Sequence, residues 1–240
     1  MKVTFLGTRA YIDAANPLHR RHSALLLANG GGRVLVDCGL DWAEALPGLH
    51  PEAVVLTHAH ADHSGGLASG APCPVYATAA TWEAIADYPL AERETVEPRR
   101  PFSLCGMLFE AFALRHSLRA PAVGYRIRAG ETSLFYAPDL AAIDERREAL
   151  AGVDLYIGDG SALHDGLLRV EEETLCGHAP VATQLGWCAR EGVQRVLFTH
   201  CGEAIVPGEE AVLAEEVAAE ALQRGVLAIF AHDGMEIELH

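Results

Sequence analysis

The 240-residue sequence predicts an α/β chain folded as a four-layer αββα sandwich, on three observations. Short β-rich runs open the chain, and helical patterns enter between the later ones. Residues 33–41, RVLVDCGLD, echo residues 133–141, SLFYAPDLA. Residues 54–62, VVLTHAHAD, echo residues 196–204, VLFTHCGEA. Two similar halves, each a sheet covered by helices, bury their sheets against one another and keep the helices outside. The length fits one layered domain spanning residues 1–240.

The elements follow in order. Residues 3–6, 23–28, 33–36 and 53–57 are apolar and β-branched, punctuated by Gly, Asn and Pro. Asn29 and the glycines 30–32 predict a hairpin turn between the second and third runs. Further strands are expected at 75–77, 108–114, 123–128, 133–136, 195–199 and 226–231. Helices are expected at 81–88, at 143–151 with Asp139 or Asp144 as its cap, at 181–191 behind Pro180, and at 209–224 before Gly225. The β-rich half ends near Leu114, and the weakest seam is 91–101, where charge and proline cluster.

Composition narrows the function. Thirty-three acids against 18 bases leave a formal charge of −15, so overall charge cannot drive nucleic-acid binding. No apolar run approaches the ~20 residues of a membrane span. The opening MKVTFLG turns polar at once and reads as a first strand rather than a signal peptide. Six cysteines without CxxC pairing read as reduced thiols, so a cytoplasmic location is expected. Twelve histidines direct attention to metal chemistry.

The densest signal is Thr57-His58-Ala59-His60-Ala61-Asp62-His63, directly after a predicted strand. Residues two apart in extended chain point the same way, so His58 and His60 can face one metal. Asp62 and His63 fall where the chain turns toward Ser64-Gly65-Gly66 and can face a second metal. One segment cannot close two metal shells. The remaining candidates stand at other strand ends: His116, Asp139 and His200. Asp139 is the best bridging candidate, because a carboxylate has two oxygens for two metals.

HAHADH resembles the HxHxDH signature of the metallo-β-lactamase superfamily, whose fold is the αββα sandwich, and His116, Asp139 and His200 follow in that family's order. The resemblance implies one metal on His58, His60 and His116, a second on Asp62, His63 and His200, and Asp139 between them. It also implies a supporting role for Asp37, in LVDCG, behind the ligand loop. Gly177-His178-Ala179-Pro180, the following helix and VLFTH resemble the phosphodiesterase branch, which includes ribonuclease Z and a cyclic-phosphate phosphodiesterase. HS…VGYRI (116–127) and DGMEI (233–237) are similar to the latter. In that branch a histidine at the His178 position helps to protonate the leaving group. LFYAPDLAAID and LAGVDLYIGDGS (134–161) also resemble the B protein of pyrroloquinoline-quinone biosynthesis, a family that usually lacks the full HxHxDH set present here.

The expected function is a dinuclear metal-dependent hydrolase, a phosphodiesterase acting on a small or cyclic phosphodiester through a hydroxide held between the metals. The alternatives are a lactonase or other ester hydrolase, and an iron-dependent oxidative enzyme of cofactor biosynthesis. His178 and Asp62 are the catalytic candidates. Two divalent ions are expected, Zn or Mn ahead of Fe, since His and carboxylate ligands accept all three. The expected partner is a small-molecule substrate, not a large RNA or a membrane, with a homodimer left open. Arg20, Arg21 and His22 form a basic knot suited to a phosphate, and Arg115 and Arg119 flank His116. His232 is the rival of His200 for the second metal, because it too ends an apolar strand.

Overall fold

The computed structural model describes residues 1–164 and 166–240. The chain runs β1 (Lys2–Gly7), β2 (Ala24–Asn29), β3 (Gly32–Val36), α1 (Leu46–Leu49), β4 (Ala53–Val55), α2 (Ala61–Ser64), β5 (Val75–Thr78), α3 (Ala79–Ala84) and β6 (Arg93–Val96). It continues through β7 (Phe102–Leu104), β8 (Met107–Arg115), β9 (Ala122–Ala129), β10 (Thr132–Tyr136), β11 (Ala142–Ile143), α4 (Arg146–Leu150) and β12 (Leu155–Asp159). Last come β13 (Leu167–Glu171), β14 (Thr174–His178), α5 (Val181–Glu191), β15 (Arg195–Thr199), α6 (Glu210–Gln223), β16 (Leu227–Phe230) and β17 (Glu236–Glu238).

Two large sheets result. One has the order β17-β1-β2-β3-β4-β5-β6, and the other β11-β8-β9-β10-β12-β15-β16 with β7 on β8. Each begins antiparallel and ends parallel, across β3–β6 in the first and β10–β16 in the second. Strand alternation sorts the side chains into layers. Val34, Val36, Leu134, Tyr136 and Ile157 meet between the sheets. Leu35 turns outward beneath Trp42 and Leu46. Phe135, Tyr156 and Phe198 turn outward beneath Leu185, Trp187 and Val217 of α5 and α6. Burying each such large apolar side chain contributes about 1.5–3 kcal/mol. This is the αββα sandwich.

Several expected boundaries are corrected. The helix expected at 81–88 is α3, six residues long, with Thr78 Oγ1 accepting from Thr81 N–H at 3.3 Å. Pro89 disfavours helix in the residue before it. The helix expected at 143–151 shrinks to α4, and Ile143 joins β11. Neither expected cap serves it: Asp144 accepts from Arg115 Nε at 2.6 Å, and Asp139 lies in the buried cluster described below. The division near Leu114 falls earlier, because β7 and β8 already belong to the second sheet. The chain crosses between the sheets after β6, inside the 91–101 seam. β17 then returns to pair with β1, and Met1 N donates to Leu239 O. The expected turn at 29–32 is present, with Gly30 and Gly31 at φ of 57° and 93°, the left-handed region that such hairpins require.

Candidate metal centre

The candidate residues converge because each sits at or just beyond the C-terminal end of a strand. Asp37 follows β3, His58 follows β4, His116 follows β8 and Asp139 follows β10. Asp159 ends β12, His178 ends β14 and His200 follows β15. Two of these positions are conformationally unusual: Asp37 has φ 61° and His200 has φ 53°. Left-handed backbone is uncommon outside glycine, and Asp and His tolerate it better than most.

Asp37 organises the N-terminal part from below. It is fully buried, and its carboxylate accepts from Thr57 N–H at 2.8 Å and from the Thr57 hydroxyl. It also accepts from His63 Nδ1–H at 2.8 Å. That contact fixes the His63 ring and turns Nε2 toward the cluster. Burial opposes charge on His63, yet Asp62 and Asp37 together hold its pKa well above the ordinary histidine value. The single turn of α2 carries Asp62 and His63. Gly39 is needed beside it, since a side chain there would meet Asp62 O at 2.5 Å.

Two lobes meet at one carboxylate. In the first, His58 Nε2 stands 3.0 Å from His60 Nδ1, which stands 3.2 Å from His116 Nε2. In the second, Asp62 Oδ2 lies 3.3 Å from His63 Nε2 and 3.0 Å from His200 Nε2. Asp139 lies between them, 2.9 Å from His116, 3.0 Å from His178, 3.5 Å from His58, 3.7 Å from His63 and 3.8 Å from His200. Burial works against ionising Asp139, but His116, His178 and His200 hold its pKa well below the usual carboxylate range.

The donor set fits metal. Nitrogen ligands about 2.0–2.1 Å from one tetrahedral ion stand roughly 3.3 Å apart, close to the spacing of the three imidazoles of the first lobe. His63 Nε2, 3.3 Å from Asp62, and Asp139 Oδ1, 2.9 Å from His116 Nδ1, are buried in close polar contacts that lack hydrogen-bond geometry among the described residues. An unpaired buried polar atom is costly, and a cation would satisfy both. Burial, with neighbouring His116, holds the His60 pKa down to about 4, which leaves its nitrogens free as ligands. Among the described residues, the groupings able to hold an ion are His58, His60, His116 and Asp139; Asp62, His63 and His200; and Asp139, Asp159, His178 and His200.

Asp159 is the residue that sequence reasoning missed. It is fully buried and stands 2.9 Å from His178 Nδ1 and 3.5 Å from His200 Nδ1. Ser161 Oγ lies 2.8 Å from His200 Nδ1. Gln184 Nε2 and Oε1 bond the Asp159 backbone, and Leu140 N–H and Ser161 N–H donate to its carboxylate. Burial lowers the pKa of His178, but Asp159 and Asp139 outweigh it and raise it to about 11. The signal was present in YIGD, an apolar strand ending in an acid like the strands that carry the other candidates.

The remaining candidates are placed elsewhere. Arg20 and Arg21 donate their backbone N–H groups to Asp233, and the Arg21 guanidinium lies 4.2 Å over the Trp42 ring. His22 Nδ1 is 2.5 Å from Asp41 and lines a side recess with Arg9 and Tyr11. The structure does not bring these three into the main cavity. His232 Nδ1 faces Asp233 O, outside the cluster. Arg115 is held by Asp144, whereas Arg119 lines the main cavity. That cavity, of about 780 Å³, has His60, Asp62, His116, Asp139, His178 and His200 in its lining.

A buried histidine–aspartate cluster at the strand ends of an αββα sandwich defines the class as a metal-dependent hydrolase. The Beta-lactamase superfamily domain matches residues 32–201, and the chain belongs to that superfamily. Ribonuclease Z of Mycobacterium bovis BCG is 25% identical over 258 aligned positions, covering 88% of this chain and 89% of that protein. The octanoyltransferase of Porphyromonas gingivalis is 30% identical over 129 residues, 45% of this chain and only 26% of that protein. Among solved structures, the metallo-β-lactamase fold protein YhfI of Bacillus subtilis superposes with a TM-score of 0.76 at 20% identity, covering 99% of each chain. A diphosphatase of the PhnP family gives 0.72 at 21% identity, covering 100% of this chain and 98% of that one. No helix of the described residues is long and apolar enough to cross a membrane.

Proposed function

We propose that the protein is a dinuclear metal phosphodiesterase acting on a small or cyclic phosphodiester. The observation that carries the reading is His178. It stands on the cavity wall within 3.0 Å of Asp139 and is backed by Asp159. His58, His60 and His116 would hold one ion, Asp62, His63 and His200 the other, and Asp139 would touch both. Such ions supply Lewis acidity and the charge that makes water nucleophilic near neutral pH.

The chain's own groups do the rest. Asp159 engages His178 Nδ1, which leaves Nε2 to give a proton to the departing oxygen. The two neighbouring carboxylates favour the protonated ring. Asp37 and Ser161 orient His63 and His200 through their outer nitrogens. The ribonuclease Z and diphosphatase relatives agree with phosphoryl chemistry, and the acidic composition argues for a small substrate over a large RNA.

The test is metal analysis of protein purified without added metal, followed by rates on phosphodiesters, lactones and carboxylic esters. Two divalent ions per chain and preferential phosphodiester hydrolysis are expected. Turnover of lactones alone, or iron with oxygen-dependent chemistry, would overturn the assignment.

A further inference from the structure

The hairpin β13–β14 belongs to neither large sheet. Its turn is Glu172-Glu173, with φ of 47° and 67°, the two-residue connection that matches strand twist. β14 is fastened to the body of the molecule: Gly177 N–H donates to His116 O and Ala179 N–H to Leu140 O, each at 2.7 Å. On its other side β13 has no strand among the described residues. The register closes with Glu171 opposite Thr174 and continues with Arg169 opposite Cys176 and Leu167 opposite His178. Hydrogen-bonded pairs alternate along an antiparallel ladder from that closing pair. Glu171, Arg169 and Leu167 therefore spend their backbone groups on β14, and Leu168 and Val170 direct theirs to the free edge.

That edge is apolar as well as unpaired. Leu167, Leu168 and Val170 are 58%, 42% and 71% exposed. Leu168 and Val170 share the outward face with half-buried Leu175 of β14, which stands opposite Val170. An exposed apolar edge is a template for another strand, and a two-stranded hairpin is marginal until a further strand joins it.

Charge decides which strand fits. Edges that resist pairing carry charges that a second copy would repel. Here Arg169 and Glu171 have opposite signs, lie two residues apart on one face and stand 2.5 Å from each other, with both side chains partly exposed. Such a strand complements itself. Laid antiparallel about a twofold axis at Val170, Arg169 of each copy faces the partner's Glu171, and Val170 exchanges its free backbone bonds with its counterpart. Opposite charges and β-branched residues directly across from one another both favour pairing.

We propose that β13 pairs antiparallel with β13 of a second copy of this chain, joining two hairpins into one four-stranded sheet held by two reciprocal Arg169–Glu171 contacts. A twofold contact of this kind closes on itself, so it yields dimers and not filaments. Two five-residue strands make a small interface, so the dimer is reversible and dissociates in the micromolar range. Arg169 and Glu171 also line the main cavity, as does Tyr11, so each copy stands at the mouth of the other's cavity. The proposal does not depend on the reaction catalysed.

The experiment is sedimentation equilibrium of the metal-loaded full chain from micromolar to submillimolar concentration, with circular dichroism to show that each variant is folded. Wild type should follow a monomer–dimer equilibrium. Arg169→Glu and Glu171→Arg each set like charges across the twofold and should weaken dimerisation by about tenfold or more. An equimolar mixture of these two variants should form the heterodimer, because opposite charges meet again. The double variant Arg169→Glu/Glu171→Arg should dimerise as wild type does. Mixing cannot repair a contact made within one chain, so rescue in the mixture identifies a contact between copies. Val170→Asp, at the axis, should also give a monomer. A wild type that stays monomeric at every concentration, as it would if the edge took a different peptide, would overturn the proposal. So would a dimer that neither single reversal weakens, or reversals that mixing does not rescue.

Discussion

The two halves of the centre are built on different plans. In the N-terminal half, His58, His60, Asp62 and His63 lie within six residues, on one strand end and one helical turn, and Asp37 holds that loop through Thr57 and His63. In the C-terminal half, His116, Asp139, Asp159, His178 and His200 come from five different strand ends. Asp159 plays the corresponding part there, bracing His178 directly and standing 3.5 Å from His200. The first plan makes its geometry locally, from chain stiffness. The second depends on sheet register, so it exists only when β10, β12 and β15 align in parallel. Asp139 is where the two plans meet.

The most damaging change should therefore be at the meeting point. Asp139→Ala is expected to lower kcat/KM by about 10⁴-fold, the scale of removing one member of a catalytic unit. It should also lower metal content at both lobes. His116→Ala should weaken the first lobe and spare the second. Metal counting by mass spectrometry checks both. If Asp139→Ala keeps its full metal complement and full rate, the two lobes do not share a ligand.

The next effect belongs to the C-terminal half alone. His178→Ala should keep the fold and the metal but slow alkyl phosphodiesters by about 10²–10⁴-fold, the usual contribution of a proton donor. Nitrophenyl esters should suffer far less, because their phenolate leaves unaided. An equal loss on both ester types would make His178 a substrate-positioning group. No loss on either would remove the main support for the phosphodiesterase reading.

The two bracing carboxylates give a sharper contrast. Asp37→Asn should cost about 10–100-fold in metal affinity, as changes behind a ligand do, without altering the ratio of alkyl to nitrophenyl rates. Asp159→Asn should do the reverse, lowering that ratio in the direction of His178→Ala while the first lobe keeps its metal. Metal titration and the two-ester assay on each variant decide the matter. Identical profiles for the two variants would mean that the halves are not organised differently.

The same contrast explains what was legible in the sequence. The convergence of the HAHADH donors could be read at once, because donor spacing in a contiguous segment follows from backbone geometry alone. The strand-ending positions of His116, Asp139 and His200 were readable as candidates from apolar runs that stop at a ligand-type residue. Asp159 was not, although β12 has the same form. The sequence echo paired the β4 segment with the β15 segment. In the sheets β4 follows β3 as β12 follows β10, so the topological counterpart of β4 is β12. Edge strands such as β6 (RETV) and β11 (AI) escaped too, because short, exposed or isolated pairs carry little apolar alternation. Arg169 and Tyr11 had no readable signal, since only the folded hairpin and the β1 segment bring them to one cavity.

The smallest expected effect lies at the seam between the halves. His19, from the segment between β1 and β2, is fully buried with Nε2 3.2 Å from Glu210 Oε2 at the start of α6, and its Nδ1 is 2.7 Å from Thr8 Oγ1. Burial lowers its pKa, and Glu210 only partly restores it. The folded protein thus keeps this ring neutral at a pH where the unfolded chain, titrating near 6.5, already binds a proton. The unfolded state then holds more protons, so stability rises with pH across the window from the lowered folded value up to about 6.5. On acidification the contribution of His19 is lost through that window, and the clamp between the halves weakens. His19→Gln removes this titration, while the other buried histidines remain common to both proteins. The signed change in urea midpoint from pH 5.5 to pH 7.5 should be less positive in His19→Gln than in wild type, because the buried histidines whose pKa values are raised contribute the opposite sign equally to both proteins. A change that is equal or more positive in the variant would show that His19 does not titrate against folding.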